Sequence, residues 1–393
     1  MEKSEKMERK RSRRASLSVE QRRKLSMLRT TSIPTPLTPV SHIYHLVPCP
    51  RKDCNQKYVV STDRSGDIHV HVQGYLPQPN RGDLSQQDKR CVFLTVHDLG
   101  TNHSSLIDFV NCPAMSEIKE RSCFIHVDVP GHEENSPDLP DSYQFPPLQT
   151  LGEDLITVLD FLHVRYAVGL GEGAGANVLA RCGLAHPRRL LGLILVNCTA
   201  STSSVADAFR SRFSRWRGAD ISQSEEDFLI YHKFGHQMSS DSSDAAERER
   251  MLAEYRSRLR GNLNTHNIKQ YVKAFINRKD LVLRGCQPDI LLITGMLSPY
   301  STVIEKMYKE LDKERVTILK VERAGDVLAE VPAKIAQSLL LFCQGQGLLT
   351  SLPPPGVERR MSRAMSMEEY DKPNIRRLSL TPSVSESPPH RKL

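Results

Sequence analysis

The chain has 393 residues, 39% hydrophobic and 25% charged, enough for one large domain with appendages. Its net charge of +8 belongs to the ends: residues 1–52 carry 13 Lys/Arg against 4 Asp/Glu, residues 347–393 carry 8 against 5, and the middle carries 33 against 37. A mildly acidic middle excludes a basic nucleic-acid-binding domain, and a longest apolar run of about seven residues (190–196) excludes a helical membrane span.

In chain order, residues 1–55 form a basic Ser/Arg-rich arm, predicted to be disordered because it holds too little apolar surface to offset chain entropy. Its basic start is followed by no hydrophobic stretch, so no secretory signal is predicted. Nine cysteines without paired spacing fit reduced thiols and a cytoplasmic location. The domain predicted over 56–346 opens with apolar or β-branched runs at 57–61, 67–72, 91–96 and 122–127, the first two forming a hairpin around Asp63–Gly66. Leu148, Leu151, Leu155, Leu159 and Leu162 then give a helix over 148–164 one apolar face. Strands follow at 166–170 and 190–196. Between 200 and 285 the strands stop and segments 224–235 and 243–260 read as helices of an inserted cap, the second stopping at Gly261. Strands resume at 289–294 and 315–321, and a Ser/Pro/Arg-rich tail, also predicted to be disordered, occupies 347–393. The expectation is an α/β fold: a mostly parallel eight-stranded sheet with helices on both faces.

Residues 167–177, AVGLGEGAGAN, run from a strand through a glycine turn into a helix. That is the shape of the nucleophile elbow G-x-S-x-G, whose strained turn lifts a serine hydroxyl above an α/β-hydrolase sheet. Here the register is Gly171-Glu172-Gly173-Ala174-Gly175, and Gly173 has no atom that can attack a carbonyl. A dinucleotide loop also fits glycines at 169–175. It requires an acid about 20 residues on, whereas the strand at 190–196 ends in Asn197. A plain structural turn is the third reading. The loop that would begin the oxyanion hole holds His97, Asp98 and Leu99, and Asp98 places a carboxylate where developing negative charge needs N–H donors. His97 and Asp98 are read as orienting that loop. The strand at 289–294 leads to Met296 at the position of the triad acid. The last strand leads to Asp326 where a base histidine is expected, and a carboxylate cannot shuttle protons as histidine does. No cofactor and no metal are predicted. The turn Asp128–His132 reads as structural. His69 and His71, like His42, His45, Cys49 and Cys54, fall short of four convergent ligands. Arg81-Gly82-Asp83 reads as a loop and the Asn197-Cys198-Thr199 sequon as chance.

The stretches VHDLGTNH (96–103), HVDVPGHEE (126–134), YQFPPLQTLGEDL (143–155), VGLGEGAGANVLAR (168–181), GLILVN (192–197) and INRKDL (276–281) together resemble the N-myc downstream-regulated (NDRG) family. That resemblance implies an α/β-hydrolase fold without hydrolase activity and a cytosolic role in differentiation, stress signalling and membrane trafficking.

The ends carry a second pattern. Ser16, Ser26, Ser32, Ser362, Ser366 and Ser379 each follow arginine at the third position before them, the spacing read by basophilic Ser/Thr kinases. Arg29 to Pro34 also has the Arg, Ser and Pro spacing of 14-3-3 ligands, centred on Ser32. The arm's charge is enough for weak, salt-screened contact with acidic membranes. The expected protein is a non-catalytic scaffold or adaptor with phosphoregulated ends and protein partners. The alternative is a residual or repurposed small-molecule or lipid hydrolase, or a ligand-binding protein, using the pocket under the cap.

Overall fold

A computed structural model describes residues 55–76, 90–201, 223–235 and 245–354. The arm up to residue 54, the tail beyond 354, all six serine candidates, the His42–Cys54 group and Arg81–Asp83 lie outside the described residues.

The apolar runs form the strands. β1 (Asn55–Thr62) and β2 (Gly66–Gln73) make the hairpin, and β2 lies antiparallel to β4 (Ser122–Asp128). From there the sheet is parallel through β3 (Cys91–Val96), β5 (Ala167–Glu172), β6 (Leu190–Val196), β7 (Asp289–Gly295) and β8 (Val316–Val321). The strand order is β1-β2-β4-β3-β5-β6-β7-β8. Every residue of β3, β4 and β5 is buried, as a sheet covered on both faces requires. Helices α1 (His103–Asn111) and α2 (Ser116–Glu120) share one apolar core with α10 (Pro332–Gly345). The other face is covered by α3 (Leu148–Phe161), α4 (Gly173–Ala185) and α8 (Ser301–Glu310). The cap helices α5 (Gln223–Phe234), α6 (Ala245–Gly261) and α7 (Thr265–Ile276) join that second core through residues such as Leu229, Leu259 and Tyr271. A one-turn helix, α9 (Val327–Glu330), follows β8.

Four local readings need correction. Residues 347–354, predicted to open a disordered tail, are described and bury Leu349 and Leu352 in the core shared with α10. The helix predicted to 164 ends at Phe161, because His163 takes φ +55°, a left-handed conformation that breaks the helical path. Gly261 does not stop its helix from outside but is the last residue within it. The cap also holds α7, which the sequence reading passed over although Ile268, Tyr271, Val272, Phe275 and Ile276 repeat at helical spacing and are all buried.

Candidate functional site around Gly173

β5 ends at Glu172 and α4 begins at Gly173, whose φ of +49° is left-handed. Two glycines make this turn possible for different reasons. At Gly175 a side chain would overlap the backbone carbonyls of Val96 and His97, so the helix packs on the end of β3 only without one. At Gly173 a Cβ would overlap the carboxylate of Asp98. The space in which this fold seats its nucleophile is therefore filled by a side chain from the neighbouring loop.

Asp98 is bound there firmly. Its Oδ1 accepts from the backbone N–H of Leu99 at 2.7 Å and of Ala174 at 2.8 Å. One comes from the residue after the elbow position and one from the loop after β3, the pair that faces a substrate oxyanion in hydrolases of this fold. His232 of α5 approaches both carboxylate oxygens with Nε2 at 3.0 Å, and its Nδ1 meets the hydroxyl of Tyr300. Burial alone would raise the pKa of Asp98. The nearby His232, the Ala174 N–H and Lys233 outweigh that and hold it down at about 2, so the group is an anion. His97 fixes the loop from the other side: Val129 N donates to its Nε2 at 3.1 Å, which leaves Nδ1 to donate to the Asp98 carbonyl at 2.8 Å.

Next to this lies a buried charge cluster. Lys233 Nζ donates to both oxygens of Glu172, at 2.6 and 2.7 Å, and sits 3.2 Å from Asp326 Oδ2. Burial would lower the lysine pKa, but Asp326 and Glu172 together raise it. Burial pushes Glu172 up to about 7 against the pull of Lys233. Asp326 caps α9, accepting from Ala329 N, and Glu330 returns to accept from the N–H groups of Gly325 and Asp326 at 3.0 and 2.6 Å. Met296, beyond β7, is half-exposed, and its backbone N–H donates to Val321. Its thioether is no hydrogen-bonding equal of a triad carboxylate.

The structure thus gathers Gly173, His97, Asp98 and Leu99, and connects Asp326 to them through Lys233. Met296 stays apart. Sequence reasoning missed His232, Lys233, Tyr300 and the role of Glu172. The signals available were a charged residue inside a glycine turn and a His-Lys pair set among the apolar residues Phe228–Phe234 at the end of α5.

A second group surrounds Asp128. His103 donates to it from both its backbone N and its ring Nδ1, each at 2.6 Å, and His71 Nε2 stands 3.3 Å away. His71, read from the sequence only beside His69, is brought to Asp128 and His103 by the β2–β4 pairing and the start of α1, a set that still falls short of four ligands. Ligand-type atoms of these three residues lie within 4.8 Å of one another. The two rings, however, are stacked 3.5 Å apart at 12°, so their in-plane lone pairs cannot converge on one ion unless a ring turns. The group is built as a hydrogen-bonded support for the loop.

Two further histidines nearby give a pH prediction. His126 and His132 are fully buried, and burial lowers both to about 3. The unfolded chain binds these protons below its ordinary 6.5 while the folded chain does not until about 3, so their contribution to stability is lost as pH falls through that window. His132→Phe should shrink the difference in unfolding free energy between pH 7 and pH 5 by about 2 kcal/mol. Urea denaturation at the two pH values measures it, and an unchanged difference would show that His132 does not stay neutral.

Comparison with known proteins places this geometry. A sequence model described as the Ndr family matches residues 58–350. Uncharacterized protein ZK1073.1 of Caenorhabditis elegans is 37% identical over 336 residues, covering 84% of this chain and 96% of that protein. Protein NDRG3 of Xenopus laevis is 30% identical over 315 residues, covering 77% and 78%. Among solved structures, a thermophilic esterase from Thermogutta terrifontis superposes with a TM-score of 0.56 at 15% identity, over 74% of this chain and 99% of the esterase. At that identity the likeness speaks for the α/β-hydrolase fold alone.

Proposed function

The chain belongs to the Ndr family, and from that premise we propose that it is a non-catalytic α/β-hydrolase-fold protein that works by binding. The observation that carries the proposal is the seat of Asp98. An anion held by the two N–H donors of Leu99 and Ala174 excludes the oxyanion those donors would otherwise stabilise. Gly173 supplies no nucleophile, and Asp326, engaged with Lys233, supplies no proton shuttle. Hydrolysis of p-nitrophenyl acetate and butyrate by the purified protein is the test. Rates at the level of the buffer are expected, and turnover that follows the protein through successive purification steps would overturn the proposal.

The binding role we assign is that of a cytoplasmic scaffold or adaptor in signalling. Its ends would be the regulated parts: Ser16, Ser26, Ser32, Ser362, Ser366 and Ser379 as substrates of basophilic kinases, with Ser32 offered to a 14-3-3-type reader once phosphorylated. Each phosphate adds about −1.5 to −2 charge and would weaken any contact of the basic arm with acidic membranes.

A further inference from the structure

A groove of about 1520 Å³ lies between the segment 143–150 that enters α3 and one face of the cap helix α7, with Arg181 of α4 and residues 276–280 completing its walls. It exceeds the roughly 300–1,000 Å³ of small-molecule pockets and has room for a length of chain. Its charge is out of keeping with the domain around it. Residues 53–346 carry 33 Lys/Arg against 37 Asp/Glu. Among the described residues, the groove is nevertheless lined by Arg181, Lys269, Lys273, Arg278 and Lys279 against one carboxylate, Asp280. The two arginines are buried and engaged with the protein: Arg181 donates to Asn177, Gln149 and the Lys279 carbonyl, and Arg278 to Thr199 and the Phe275 carbonyl. They contribute to the potential from beneath. Lys273 and Lys279, both exposed, and the half-buried Lys269 carry positive charge to the surface. The first turn of α3 also lines the groove, with neither an acid nor a side-chain cap, so the positive end of that helix dipole adds to the same field.

The two walls differ in kind. His266, Lys269, Gln270 and Lys273 form one stripe of α7, three to four residues apart, which sets Lys269 and Lys273 about 6 Å apart along the helix axis. The other wall holds Tyr143 and Phe145, half-buried with ring centroids 6.4 Å apart edge to face, and the exposed Pro147. In an extended peptide, residues two apart point the same way about 6.7 Å from each other, and the residues between point the opposite way. Such a peptide laid along α7 with acids at alternate positions matches the lysine spacing and turns its intervening side chains to the aromatic wall. We propose that this groove binds an extended segment of a partner protein in which acidic residues alternate with apolar ones, its carboxylates meeting Lys269, Lys273 and Lys279. A lipid headgroup layer is too flat to follow a groove between two walls. The proposal deepens the binding role assigned above by giving the partner's chemistry. The groove shares no residue with the elbow or the Lys233 cluster, so its test stands apart from the test for hydrolysis.

Three labelled heptapeptides separate charge from pattern: Glu-Leu-Glu-Phe-Glu-Leu-Glu, its counterpart with glutamine for every glutamate, and Glu-Glu-Glu-Glu-Leu-Phe-Leu, which has the same composition in blocks. Fluorescence anisotropy with the full chain should give the alternating acidic peptide an affinity at least roughly tenfold above either of the others, falling steeply with added salt. Lys273→Glu combined with Lys279→Glu should weaken that peptide about tenfold. Both positions are exposed, so the melting temperature should stay within about 2 °C of the wild type. The double variant should in turn prefer Lys-Leu-Lys-Phe-Lys-Leu-Lys, a reversal that lysines with a merely structural role do not give. Equal affinity for the alternating and block peptides, undiminished binding by the double variant, or no binding at millimolar concentration would each overturn the proposal. So would a wild type that ignores the peptide but sediments with phosphatidylserine vesicles and a double variant that does not, since the cations would then serve a lipid surface.

Discussion

Gly173→Ser is expected to destabilise the protein by about 2–4 kcal/mol and to yield no esterase activity. The substitution restores the residue type of a working elbow, and hydrolases tolerate the left-handed conformation there. The obstacle in this chain is steric: a Cβ at 173 overlaps the Asp98 carboxylate, which is itself held by two N–H groups and His232. One side chain must leave, and displacing Asp98 breaks all of those contacts. The interaction is open to a double-mutant cycle. In an Asp98→Gly background the serine should cost much less than in the wild type, so the two substitutions should be non-additive by 1 kcal/mol or more. Activity should remain at background even there, because Asp326 is paired to Lys233 and Met296 offers no carboxylate. Additive costs would mean that Asp98 does not occupy the space over Gly173 in solution.

Lys233→Met should cost about 3–5 kcal/mol. The lysine is the shared cation of Glu172 and Asp326, and all three are buried. Removing it leaves two carboxylates together in a dry site, with the Asp98 carboxylate also near enough to influence it. The pH dependence fixes the mechanism. In the wild type, burial holds Glu172 at about 7, above its ordinary 4.5. The folded chain then binds more protons than the unfolded one between those values, so this group favours folding at low pH and loses that contribution as pH rises through 7. Without the pull of Lys233, Glu172 is raised further. The decline of stability with pH should steepen and continue above 7, and adding Asp326→Asn should restore part of the loss. Chemical denaturation at pH 5, 7 and 9 reads both effects. A cost below 1 kcal/mol at all three would mean that water reaches the cluster and screens it.

The sheet was legible in the sequence because its strands are near-continuous apolar runs between polar turns. Residues 190–196 and 91–96 were read with the bounds they have in the fold. The elbow was legible because its glycines are demanded by close approach, of backbone at Gly175 and of the Asp98 carboxylate at Gly173. Asp98 was noticed for its type at that place. That its carboxylate fills the nucleophile's seat follows from three-dimensional packing that no local pattern encodes. His232 lies 134 positions from Asp98, and Lys233 lies 61 positions from Glu172. Nothing in the sequence of α5 says which strand ends it will meet. His71 was read without Asp128 and His103 for the same reason: strand pairing, not sequence proximity, brings them together.

In many hydrolases a cap swings away to admit substrate. Here two consecutive residues of α5 tie the cap to three separate strand ends: His232 to the loop after β3, and Lys233 to the end of β5 and to the segment after β8. Lifting the helix would strand Asp98, Glu172 and Asp326 at once, each an unpaired charge in a poorly hydrated place. Such a cap behaves as a keystone rather than a hinged door. Its backbone amides should share the slow exchange of the central strands.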